Sequence, residues 1–276
     1  MRRVRRMLPL VPLGAFLQFA GAQTFVVDPP AIAGVTITGP GAAEYMPKVD
    51  ALLGTSRNAE TNAWVPFGFV AMNKTTEPIV AVAARWSITD SSGQYTEQIL
   101  TRSFMESPKL QIAPGESVVV FPSWVLAGHH PGIPGSLNPA TTGNAPAELS
   151  RFQSAQSVRA TLDGIVFASG LFVGPNGANE LPYFQAQGAA GYDLASSILG
   201  KRDAGVASDA IVDWLRQTAA TRANGSPFSR ASRDWNTAVT AREAEVYLRV
   251  YQSGGESKMF AFAQQRLQGP HFVVHQ

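Results

Sequence analysis

The chain has 276 residues and no cysteine, which excludes disulfides, thiolate nucleophiles and cysteine-held metals. Its 22 basic and 20 acidic residues give a net charge of +2, but four of the arginines lie within the first six residues. Without residues 1–22 the balance is 18 basic to 20 acidic, a net charge of −2, and a surface this close to neutral offers no electrostatic case for nucleic acid or an anionic membrane.

Those first residues carry an address. Arg2, Arg3, Arg5 and Arg6 form a positive start, Met7 to Ala20 is largely apolar, and Ala20-Gly21-Ala22 is a small-x-small site. The three parts together predict a secretory signal peptide cleaved after Ala22. The apolar run contains Pro9 and Pro12 and falls short of the roughly 20 residues that span a bilayer. With no later run resembling a membrane helix, the expectation is an exported chain without an integral membrane segment, periplasmic or extracellular, of about 254 residues after cleavage.

Strands dominate the first part of the mature chain. Ile32 to Ile37 reads as a strand, and Tyr45, Val49, Leu52 and Leu53 have the spacing of a short helix ended by Gly54. Trp64 to Met72 is the next expected strand, with a turn over Asn73 to Pro78. In Ile79 to Thr89 the period of two should send Val80, Val82, Trp86 and Ile88 to one buried face. Asp90 to Gly93 reads as a hairpin turn and Tyr95 to Phe104 as the return strand. Leu110 to Ile112 and Ser117 to Trp124 flank an Ala113-Pro114-Gly115-Glu116 turn. Residues 126–147 are rich in glycine and proline and read as a long loop. Alternation resumes at Val158 and is interrupted at Asp163-Gly164, as by a turn or bulge. A hairpin comes next around Ala168-Ser169-Gly170, and Gly174 to Gly177 ends the β part.

Helical patterns take over from Asn179. Residues 180–201 carry Leu181, Phe184, Leu194, Ile198 and Leu199 as anchors. Residues 207–222 carry Ile211, Trp214, Leu215 and Thr218, with Ser208 as a candidate N-cap. Residues 236–252 present Val239, Val246, Tyr247 and Val250, stop at Gly254-Gly255, and are followed by a helix over 256–267. Phe272 to Val274 could add an edge strand. The expectation is α+β: an antiparallel β-sandwich over residues 23–177, then a helical region over 178–276.

The stretch from Ser157 through Asp163-Gly164 and Ala168-Ser169-Gly170 to Asn176, followed by a helix, resembles one in uncharacterised exported proteins of soil bacteria, acidobacterial ones in particular. Asn73-Lys74-Thr75 to Trp86 and Ile112 to Ser117 resemble bacterial Ig-like sandwich domains. The resemblance implies an exported Ig-like protein with no assigned activity, and it carries over no functional residue.

Several side chains have the chemistry of ligands. His129 and His130 sit in the Gly/Pro-rich loop, and His271 and His275 are four apart, but a zinc site normally takes three or four ligands. Asp163 and Asn176 could offer oxygens to calcium, or serve as turn residues, the reading favoured here. Glu243 and Glu245 should lie on different faces of a helix, in a solvated set with Arg242 and Arg249. Trp214 packs in the core on this reading, and with Trp235 it could instead form an aromatic platform for sugars. Asn73 and Asn224 head Asn-x-Ser/Thr sequons. No Gly-x-Ser-x-Gly, Ser-x-x-Lys, His-Glu-x-x-His or phosphate-cradling glycine loop occurs. No catalytic, cofactor or metal residue is therefore assigned. The expected function is an exported, non-enzymatic binding or structural module with a protein partner in the cell envelope. The alternatives are a glycan- or cell-wall-directed hydrolase using carboxylates, and an assembly element acting through the C-terminal helices.

Overall fold

The computed structural model of the chain describes residues 23–54, 57–105, 111–122, 124–127, 145–221, 235–268 and 273–276. It has an α+β architecture with two sheets and C-terminal helices. Strands β1 (Thr24–Val27), β8 (Ser157–Phe167), β4 (Ile79–Thr89) and β5 (Tyr95–Ser103) form the first sheet in that order, and β9 (Phe172–Val173) pairs with β8. Strands β2 (Val35–Thr38), β3 (Phe69–Asn73), β6 (Ser117–Phe121) and β7 (Trp124–Ala127) form the second. The second sheet is antiparallel throughout. The first departs from the expected antiparallel pattern, because β1 runs parallel to β8.

The two sheets share one core. Val82, Trp86 and Ile88 of β4 and Val158, Ala160 and Leu162 of β8 lie in a cluster with Phe69, Val119 and Phe121 of the second sheet. Tyr45, Val49 and Leu53 of α1 (Tyr45–Leu53) close it, as their helical spacing foretold. Trp86 is fully buried and donates its indole N–H to the Phe67 carbonyl at 2.8 Å, so its polar edge is satisfied inside.

The strand expected over Trp64 to Met72 begins only at Phe69. Helix α2 (Ala59–Trp64) starts at a capping box, in which the Asn58 side chain accepts from the Thr61 N–H and the Thr61 hydroxyl accepts from the Asn58 N–H. A 3-10 turn, Val65–Phe67, leads from it into β3. A second difference is α3 (Ala145–Gln153), inside and beyond what reads as loop. Its Phe152 is fully buried, with ring centroids 5.5 Å from Trp64 and 5.3 Å from Phe67.

Two bulges shift the β4–β8 register. One adds Val80 on β4, the other a residue on β8 between Leu162 and Gly164, which is Asp163. Val80 was expected beside Val82 and Trp86. Instead it faces the opposite way with Ala81 and Ala83, because an extra residue in one strand flips the adjoining side chains to the other face.

That outer face carries helices over half of its length. Val80, Ala81, Ala83 and Val166 pack against Tyr183, Phe184 and Ala186 of α4 (Leu181–Asp203), and Val239 of α6 (Trp235–Gln268) joins them. The C-terminal half of α4 runs on into an all-helical cluster, where Leu194 and Ile198 meet Ile211 and Leu215 of α5 (Ser208–Ala220) and Tyr247 of α6. The cap before α5 is Ala207, not Ser208, whose hydroxyl is bonded to Glu256.

Helix α6 is broken at Gly254 and Gly255, where the backbone leaves helical geometry. The halves fold back on one another, placing Phe262 5.1 Å from Tyr247 and Arg266 against Glu243. Of the expected face, Val239 and Tyr247 are buried while Val246 and Val250 are only half-buried; Ala241, Glu243 and Ala244 are buried as well, so Glu243 is not in a solvated set.

Burial raises the pKa of the Tyr247 phenol from 10.0 to about 12 and pushes Tyr45 up as well. A group that holds its proton more tightly when folded contributes stability fully below its unfolded pKa and loses it as pH rises through the folded one. The melting temperature should hold up to about pH 10 and fall above it, and Tyr247→Phe should flatten that fall. Thermal melts across alkaline pH test this; an unchanged melting temperature at pH ~11 would contradict it.

Candidate functional site

Where α4 stops covering the first sheet, the outer face continues as a polar surface. Alternation places Asp28 of the segment after β1, Thr161 and Arg159 of β8, Arg85 and Ser87 of β4, and Tyr95, Glu97 and Ile99 of β5 on it. Arg85 donates to Glu97 at 3.0 Å, and Tyr95 bonds both Glu97 and Ser87. Arg159 and Thr161 both donate to Asp28, at 2.9 and 2.7 Å. This surface is exposed at Tyr95, 55%, and at the Arg159 side chain, 63%.

The border between this surface and the helices is built on Asp163. The bulge turns its side chain outward from the sheet, under the segment that leads into α4, where it is fully buried. One carboxylate oxygen accepts the Gly177 N–H at 3.0 Å, the other accepts the Ala178 N–H at 2.8 Å, and Arg85 Nε lies 3.7 Å away. The Asp163 carbonyl also accepts the Asn176 N–H. Asn176, at φ 52°, in turn accepts the N–H groups of Glu180 and Leu181 and so opens α4. A Cβ at position 177 would stand 2.9 Å from Arg85 Nη2, so a larger residue there would have to displace the guanidinium. Glu180, also buried, accepts from the Thr101 hydroxyl of β5 at 2.6 Å.

Burial alone would lower the pKa of the Arg85 guanidinium. The hydrogen bond to Glu97 and the charge of Asp163 outweigh it, so the net shift is upward and the cation is secured. This arrangement can hold two layers in register and present a flat mosaic of charges and hydroxyls.

The side chains singled out from the sequence do not converge. His129, His130, His271 and Asn224 lie outside the described residues. His275 is exposed, with Nδ1 on the Val273 carbonyl at 3.0 Å. Asp163 and Asn176 do come together, but their oxygens are taken by backbone N–H groups, which is turn chemistry. Among the described residues no cluster of three or more His, Asp or Glu could hold a metal, and no helix is long and apolar enough to cross a membrane. Trp214 packs on the all-helical cluster under Lys201, whereas Trp235 packs on Tyr183 against the sheet, so they form no common platform. Arg242 reaches the Tyr183 hydroxyl. Asn73 is buried, its amide donating to the Glu77 and Ile112 carbonyls and accepting from Thr75, so that sequon is closed by the fold. A cavity of about 10 Å³ beside Asn73, lined by Val35, Ile79, Val82, Ile112, Val118 and Ile165, has room for one water at most.

Arg85, Glu97, Asp28 and Glu180 were not singled out from the sequence. Asp28 meets Arg159 across 131 positions, and Glu180 meets Thr101 across 79, distances at which sequence carries no pairing signal. The odd positions of β4 and β5, polar from Arg85 onward except for Ile99, were the available clue to a solvated face. Comparison with protein-family models, with curated proteins and with solved structures finds no match for the chain.

Replacing Asp163 by alanine removes the acceptor for two N–H groups and should cost about 1–3 kcal/mol of unfolding free energy. Glu97→Ala, on an exposed pair, should cost at most about 1 kcal/mol. Urea denaturation of both variants tests the ranking, and equal losses would contradict it.

Proposed function

We propose that the chain is an exported, Ig-like, non-enzymatic module that engages a protein partner of the cell envelope through the polar face of its first sheet. The observation that carries this reading is how the buried carboxylates are used. Asp163 ties β8 to the start of α4, Glu180 ties α4 to β5, and Glu243 pairs with Arg266 across the two halves of α6. Each holds elements together, and a buried carboxylate spent in this way is a structural fixture rather than a proton carrier. The uncovered face adds the other half of the case. Its charges are paired in place, so it meets a partner as a preformed, near-neutral mosaic that sets specificity and register. Fold alone is a weak guide to function, and the reading rests on these residues.

The test is site-specific photo-crosslinking of the full-length chain in its native envelope, with the reactive group at position 95 on the face or at position 213 on α5, whose Asp213 side chain is 62% exposed. One discrete partner captured from position 95 and not from 213, and bound at least tenfold more weakly by the Arg159→Glu chain once purified, is the expected result. Equal capture at both positions overturns the face as the contact. Turnover of cell-wall glycan by the purified chain that disappears in Glu97→Gln would establish a carboxylate hydrolase in its place.

A further inference from the structure

The last residues of the chain sit in a place that looks made for a strand. Beyond β9, the first sheet gains one more extended segment, Val273 to His275. It bridges Leu171 in parallel: the His275 N–H donates to the Gly170 carbonyl at 3.0 Å, and the Phe172 N–H donates to the His275 carbonyl at 2.7 Å. One position before these bonds, Val274 turns inward, 4% exposed, into the cluster of Val80, Val166, Phe172 and Phe184. Gln185 of α4 reaches across and donates to the Val274 carbonyl at 3.1 Å. Gly170 makes the approach possible, because a Cβ there would lie 2.4 Å from the Val273 carbonyl oxygen.

The acceptor and its occupant differ in how firmly they are built. The acceptor belongs to the β8–β9 hairpin and to α4, both anchored in cores. The occupant is a short segment, residues 273–276, held by two backbone bonds, one side-chain bond and one buried valine. Burying one valine contributes about 1.5–3 kcal/mol, so such a segment detaches far more easily than the hairpin beneath it unfolds. Once detached, it leaves an open strand edge beside an apolar slot, the geometry in which an extended peptide adds to a sheet.

We propose that the edge formed by Gly170 and Phe172, with the slot that Val274 fills, is a strand-acceptor site, and that the chain's own C-terminal segment is its resident and displaceable ligand. The class of partner it takes is an extended peptide with a β-branched aliphatic residue at the position of Val274. Backbone pairing supplies the affinity, and the slot, whose depth suits a valine, supplies the selectivity. This is independent of the polar face, which lies on the uncovered half of the same sheet.

The probe is a fluorescent peptide with the sequence of residues 270–276, offered to the wild-type chain and to Val274→Asp, in which the resident segment is weakened. Saturable binding to Val274→Asp at least tenfold tighter than to the wild type, lost when the second of the peptide's two valines, the one at position 274, is replaced by aspartate, is the expected result. No binding to a cooperatively melting Val274→Asp chain, or equal binding to both chains, overturns the proposal. Should Val274→Asp fail to fold, amide exchange on the wild type decides. The Phe172 and His275 amides should exchange at least tenfold faster than the Val166 amide in the β8 ladder, by local release. Exchange of all three at one common rate would make the segment an inseparable part of the core and overturn the proposal.

Discussion

One extra residue in β8 organises the molecule. A regular strand would direct side chains from Leu162 to Phe167 in strict alternation. The bulge at Asp163 lets Leu162 and Ile165 both face the core between the sheets, while a carboxylate emerges on the other side. That carboxylate is buried, which is costly unless donors surround it. Gly177 and Ala178, in the lead into α4, supply the N–H donors, and Arg85 of the neighbouring strand supplies the opposing charge 3.7 Å away. The position of the helical layer on the sheet is thus fixed by the need to satisfy one buried charge. Asn176, itself held by the Asp163 carbonyl, then sets the first turn of α4.

The consequences spread in two directions along the outer face. Toward Val80 and Val166 the face is apolar and covered by α4 and α6, and the C-terminal segment closes its border. Toward Ser87 and Arg159 it is polar and open. Arg85 stands at the boundary, shared between Asp163 on the covered side and Glu97 on the open side. A second buried pair, Glu243 with Arg266, plays the same part among the helices, locking the two halves of α6 after the chain reverses at Gly254-Gly255. Among the described residues, the buried carboxylates of Asp163, Glu180 and Glu243 each fix how one element lies on another.

Much of this was legible in the sequence. The period of β4 put Trp86 and Ile88 in the core, Asp90 to Gly93 marked its hairpin, and the helix anchors Phe184, Leu194, Ile198, Ile211 and Leu215 all proved buried. The interruption at Asp163-Gly164 was visible as a turn or bulge. What could not be read was anything set by distant partners. Val80 changes face because of a bulge that only the pairing with β8 defines. Glu243 looks solvated until a residue 23 positions away folds back onto it. Helix α3 hid behind a glycine- and proline-rich run, although Leu149 and Phe152, three apart, carried its period. Helix α2 could have been read from its Asn58 and Thr61 box, but the apolar Trp64 to Met72 run imitates a strand. The polar face was missed for a different reason: it is a property of four strands together, and no single one of them announces it.

The central claim is that Asp163 clamps the start of α4 to the sheet. Native-state amide exchange at Gly177 and Ala178 tests it most directly, because both N–H groups end on that carboxylate although Gly177 is itself exposed. The clamp predicts protection of both amides comparable to that of the β4–β8 ladder, lost selectively in Asp163→Asn. Fast exchange of both in the wild type, at the rate of an ordinary surface turn, would contradict it.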